Sequence, residues 1–213
     1  MNQNISKICA DSLRTFTDEK YHIKLKAAHA HELVAAYFGY PSKNAMLADT
    51  NYPISNLAQA DIIVMTTDDF IDQRRRNLEG LSSDLPVSYT LGEAVYGPLF
   101  SDEWWASQYP PFRSFEKLAK FLVENNEAYR EVFKFYRDVP MHHFVQINNA
   151  VDNVTLTVFH SHQTSNGEMF CDGKTTICLP RVAGHIGFGK PKVSVEKWTG
   201  GARRTLASLG VKS

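Results

Sequence analysis

Two histidines one residue apart close the most regular strand pattern in the chain, Val154-Thr155-Leu156-Thr157-Val158-Phe159-His160-Ser161-His162. Side chains at i and i+2 of a strand share a face, so the spacing sets His160 and His162 side by side. Neutral imidazoles are frequent metal ligands, so the two histidines form a candidate ligand pair. Cys171 and Cys178 stand in the same stretch. Their C-x6-C spacing is wider than a zinc knuckle, so ordinary buried thiols are the default. A structural zinc site of two Cys and two His is the alternative if a hairpin at Asp172-Gly173 brings the sulfurs together.

His160-Ser161-His162 and Asp172 resemble the ligand motif of zinc hydrolases of the JAMM deubiquitinase type, which place His-x-His at a strand end and an Asp further along. Gln163 stands where that family has Pro, Met169 where it has Ser, and the His-to-Asp interval is shorter. The resemblance implies a zinc-dependent hydrolase with His160, His162 and Asp172 on the metal, where zinc would lower the pKa of a bound water and a Glu from elsewhere would act as base.

A different chemistry follows from the cations near the end of the chain. Arg181, Lys190, Lys192, Arg203 and Arg204 make that region locally basic, which suits an anionic partner, either nucleic acid or an acidic protein surface. The Gly-x-Gly-Lys ending of Gly184 to Lys190 lacks Walker spacing and the Ser/Thr after Lys, and it reads as a loop between strands. Upstream, an aromatic segment from Tyr89 to Phe112 includes Trp104 and Trp105, and such a cluster stacks a base, lines a ligand groove or fills a core corner. Trp104 and Trp105 are therefore the second set of expected contact residues. No residue stands out as catalytic outside the zinc reading, and without zinc no cofactor is implied.

Bulk numbers bound these readings. The 213 residues are 43% hydrophobic and 22% charged, with 23 Lys and Arg against 23 Asp and Glu. Binding to duplex nucleic acid by bulk charge calls for a basic excess, which is missing. No run approaches the ~18 apolar residues of a membrane helix, the N-terminus lacks a secretory pattern, and three cysteines are too few for a disulfide framework. The expectation is a cytoplasmic protein with no membrane partner and free thiols.

The elements that position these residues follow from periodicity. Ile5 to about Lys20 reads as a first helix. Ile23, Ala27, Ala30, Val34 and Tyr37 form one helical stripe, stopped at Gly39 and Pro41, and Ser42 caps a short helix through Leu47. Ile62 to Met65 is a short apolar run. Thr66 or Thr67 caps a helix with Asp68 and Asp69 at its start and Arg74, Arg75 and Arg76 at its end, which matches the helix dipole. Ser114 to Asp138 is the longest amphipathic pattern, and Asn125-Asn126 can split it in two. Strands follow at His143 to Asn148, Val154 to His162, Met169 to Cys171, Thr175 to Leu179 and Lys192 to Trp198, with Asp172-Gly173 as the strongest hairpin signal. The fold class is α+β, an N-terminal helical module followed by a helix-covered antiparallel sheet. Residues 1–50 are the module, 51–86 a linker with one helix, and 87–213 the α+β domain.

Leu33-Val34-Ala35-Ala36-Tyr37-Phe38-Gly39-Tyr40-Pro41-Ser42-Lys43-Asn44-Ala45-Met46-Leu47-Ala48 resembles a short helical module of bacterial proteins described as glyoxalase-related or glyoxalase superfamily, many of them from plasmids and other mobile elements. The resemblance implies a packing or docking module and supplies no catalytic residues. Taken together, the expected function is non-catalytic binding or regulation, in the setting of an accessory factor of a bacterial mobile element. Zinc hydrolysis is the rival.

Overall fold

The computed structural model describes residues 4–100, 107–134, 141–164, 167–200, 204–205 and 207–210. Trp104, Trp105 and Arg203 lie outside these residues. The chain divides into two compact units, one made of 1–114 with 181–189, the other of 115–180 with 190–213.

The first unit is helical around one apolar core. Helix α1 (Ile5–Tyr21) starts at Asn4, whose side chain accepts from the Lys7 N–H at 3.3 Å. It ends at His22, which takes the left-handed conformation and returns its N–H to Asp18. That break delays α2 to Ala27–Tyr37, later than the stripe from Ile23 suggests. Gly39 stops α2 at φ +84°, and a Cβ there would stand 2.5 Å from the His185 Cβ, so only glycine fits both the turn and the neighbour. Ser42 then caps α3 (Lys43–Ala48), accepting from the Ala45 N–H at 3.1 Å.

Residues 51–86 are not a linker. Ile54, Leu57, Ile63, Ile71 and Leu85 are buried in the same core as Leu13, Leu33 and Leu91, because the apolar positions of a 3-10 turn (Ile54–Gln59), strand β1 (Ile62–Ile63) and helix α4 (Asp68–Arg76) all point inward. Helix α5 (Ser88–Tyr96) and a 3-10 turn (Gly97–Phe100) complete the helical part. Strand β1 pairs antiparallel with β5 (Gly187–Phe188), which also pairs the last residues of β4 (Met169–Ala183).

The second unit is a sheet with two helices over one face. Helix α6 (Phe115–Glu124) buries Leu118, Ala119, Leu122 and Val123. Asn126 breaks the amphipathic rod and caps α7 (Glu127–Val132), accepting from the Tyr129 N–H at 2.9 Å. Strands β2 (His142–Asn149), β3 (Asn153–Gln163), β4 and β6 (Lys192–Lys197) lie side by side and antiparallel, and β7 (Arg204–Thr205) also pairs β4. Val154, Leu156, Val158, Thr175, Ile177 and Leu179 alternate inward and are buried. Thr155, Thr157, Thr176 and Cys178 alternate onto the opposite face and are half-buried, while Lys192 and Ser194 on that face are exposed. The α+β class is as the sequence implies.

One turn signal is overridden. Asp172-Gly173 makes no hairpin; it sits inside the continuous 15-residue β4, where the register against β3 shifts so that His160 faces Gly173 and Ser161 faces Cys171. Asp172 is the extra residue of a β-bulge. β3 is long enough to pair β4 on both sides of the dipeptide, and Gly173 is required there. A Cβ would lie 2.1 Å from the Glu196 carbonyl oxygen and 2.9 Å from Phe133 Cζ. Cys171 and Cys178 therefore lie along one strand instead of across a hairpin.

Candidate functional site

The sheet brings the expected imidazoles together in pairs. His143 of β2 lies directly across from His160 of β3, and their Nδ1 atoms are 3.0 Å apart. His160 Nε2 is 2.7 Å from the Thr175 hydroxyl of β4. Tyr129 and Phe133 rings close over it at 4.7 and 4.9 Å between centroids. Its side chain is fully buried. Burial, with His143 adding to it, pushes the His160 pKa down to about 3, so the ring is neutral and carries one N–H, with His143 and the Thr175 hydroxyl as the partners of its two nitrogens. Burial also lowers His143.

His162 forms a second pair. Its Nδ1 is hydrogen-bonded to Asp172, whose carboxylate the bulge tucks fully inside. His160 and His162 do project from the same side of β3, as their spacing implies, but His160 uses both ring nitrogens on His143 and Thr175 while His162 turns to Asp172. Among the described residues no three His, Cys, Asp or Glu side chains are gathered as a metal site requires. Cys171 is buried, and its thiol is pushed up to about 11 by burial with Asp172 beside it, which makes it a poor nucleophile.

The expected cationic contacts divide. Arg181 belongs to the first unit and is 9% exposed. It donates to the Gly184 carbonyl at 3.0 Å, stands over the Phe188 ring and lies 3.4 Å from His185 Nδ1, so it holds a turn instead of facing a partner. Lys190, Lys192 and Arg204 are exposed in the second unit. Arg204 lies over the Trp198 ring at 5.7 Å, and the Trp198 indole donates to Glu196 at 2.6 Å. Residues 190–213 carry six Lys and Arg against one Glu, and the second unit as a whole twelve against nine.

A feature that no single sequence window shows lies in the first unit: a cleft of about 660 Å³ lined by Tyr37, Thr66, Asp68, Glu93, Tyr96 and Phe100 among others. The aromatic segment starting at Tyr89 signals part of it. Its remaining walls come from α2, the β1–α4 connection and α4, which only the fold assembles. No described helix is long and apolar enough to cross a membrane. No family model matches the chain, and no curated protein or solved structure gives a match.

Proposed function

We propose that this chain is a non-catalytic binding protein whose basic C-terminal part docks on an anionic partner. The observation that carries this reading is the charge of residues 190–213, six cations against one carboxylate, within a chain whose other residues carry 17 cations against 22 carboxylates. Two of the cations, Lys190 and Lys192, are exposed on β6 or next to it. Arg204 is paired through β7 to the same strand β4 that pairs β6, with Trp198 beneath it. A guanidinium resting on an indole keeps its outer N–H donors for phosphate or carboxylate. The hydroxyls of Thr176 and Ser194 share that face of the sheet, where the Lys174 ammonium pairs with the Glu196 carboxylate at 3.4 Å. Nucleic acid is the favoured partner because an exposed cation next to an aromatic ring serves both a phosphate and a base. An accessory role in a bacterial mobile element is the setting suggested by the resemblance of residues 33–48.

The test is fluorescence anisotropy of a labelled single-stranded oligonucleotide against the full chain across a salt series. For every phosphate that the protein ceases to neutralise, the slope of log affinity on log salt should flatten by about 0.7. Lys190→Ala, Lys192→Ala and Arg204→Ala together should weaken binding and reduce that slope by about 2. Polyglutamate bound in place of the oligonucleotide would move the partner to an acidic protein surface. Binding of either polymer that ignores salt, or no binding, refutes the reading.

A further inference from the structure

The cleft of the first unit has the size of a small-molecule site, for which about 300–1,000 Å³ is usual, and its inner wall is already fixed. Tyr96 Oη donates to the Tyr37 carbonyl at 2.6 Å and accepts from the Thr66 N–H at 3.3 Å. The Thr66 hydroxyl donates to the same carbonyl at 2.8 Å, and Tyr37 Oη donates to the Ser88 carbonyl at 2.6 Å. With these polar atoms paired among themselves and both tyrosines buried, the ring surface that the lining still exposes belongs to Phe100 and Tyr89. The Tyr37 and Tyr96 rings meet edge to face at 5.6 Å, and Phe100 stacks on Tyr96 at 6.2 Å. Burial raises both tyrosine hydroxyls above their ordinary range, so neither ionises near neutral pH.

The charged groups of the lining are unequal. Asp68 and Glu93 are exposed, and neither has a hydrogen-bond or ion-pair partner among the described residues. Arg113, the cation of the lining, is already laid over the Tyr89 ring at 4.2 Å and donates to the Tyr89 hydroxyl at 3.0 Å. The first unit as a whole carries eleven Lys and Arg against fourteen Asp and Glu.

We propose that this cleft binds a small organic cation with a flat apolar body, its ring against Phe100 and its ammonium at Asp68 and Glu93. Aromatic faces attract a cation through their quadrupole, and the two carboxylates add to that attraction. An anion of the same shape would meet two carboxylates against the single guanidinium of Arg113. The proposal uses no residue of the basic surface and does not depend on the anionic partner.

Three indoles of one shape test it by calorimetric titration of the full chain: tryptamine as the cation, tryptophol as the neutral isostere and indole-3-propionate as the anion. Tryptamine should bind at least about tenfold more tightly than tryptophol, a difference of one decade per 1.4 kcal/mol, and the anion should bind more weakly than tryptophol. Asp68→Asn with Glu93→Gln should remove the preference for tryptamine while leaving tryptophol unchanged. Gly97→Phe should abolish binding of both, because a Cβ at Gly97 meets nothing within 4 Å and the ring can fill the mouth without displacing the fold. Equal affinity for all three indoles, binding untouched by Gly97→Phe, or no binding at all overturns the proposal.

Discussion

Acid should open the sheet of the second unit before it harms most of the carboxylates, and His160 is the reason. The ring is fully buried against Tyr129 and Phe133, with Thr175 on one nitrogen and His143 on the other. The charged groups that reach this pair are Glu124 and Lys120 of α6 and His142 of β2, all acting on His143. The ordinary value of 6.5 falls to about 3 in the folded chain. The unfolded chain therefore takes up the proton first as pH drops, and stability contributed by the neutral ring is lost between pH 6.5 and 3. By linkage the loss from His160 is about 2 kcal/mol between pH 7 and pH 5 and about 5 kcal/mol once both states are protonated. His143, lowered in the same direction, adds to it. The lowered Asp49 acts through a lower window, below the ordinary carboxylate pKa of 3.8, so pH 7 to 5 isolates the histidines. Amide hydrogen exchange followed by mass spectrometry on peptides covering 153–163, corrected for intrinsic rates, reads the local opening energy. His160→Gln keeps a donor and an acceptor but cannot titrate, and its opening energy should fall by at least about 1.5 kcal/mol less than that of the wild type over the same interval. Equal losses in the two chains would refute the reasoning.

Gly173→Ala should cost about 3 kcal/mol by urea unfolding, since the new methyl collides with backbone at Glu196 and with the Phe133 ring. Tyr96→Phe removes the acceptor of the buried Thr66 N–H and one donor to the Tyr37 carbonyl, and should lower the stability of the first unit by about 1–3 kcal/mol. Asn126→Ala should cost about 1 kcal/mol through loss of the α7 cap, measured the same way. The pairing of His160 with His143 and of His162 with Asp172 predicts substoichiometric zinc in elemental analysis of purified protein; equimolar zinc lost on His160→Ala with His162→Ala would favour the hydrolase reading.

Local signals placed much of this fold. Ser42 marks a helix start because a short polar side chain in front of an apolar turn has a backbone donor to satisfy, and Asn125-Asn126 marks a break, after which Asn126 caps the next helix. The alternation of Val154 to His162 gave the strand and the shared side of its two histidines. What failed was decided at long range. Asp172-Gly173 is a turn only if the flanking strands have no better partner, and β3 supplies one. Residues 51–86 read as weakly patterned because their apolar residues serve short elements, yet those residues lie in the main core. Arg181 counted as a surface cation until the Gly184 turn enclosed it. The cleft draws on four stretches from Tyr37 to Arg113, a combination beyond any window.

The division of the chain has a consequence for its synthesis. The first unit is made of 1–114 and 181–189, so β1 leaves the ribosome well before β5, the strand that pairs it. Until then the backbone N–H and C=O groups of Ile62 and Ile63 that face β5 lack that partner, and the space filled by Ala183 and Ile186 stays vacant. The nascent chain must therefore carry an unfinished first unit through the making of most of the second one, and the final residues of β4 are what lock the earlier half shut.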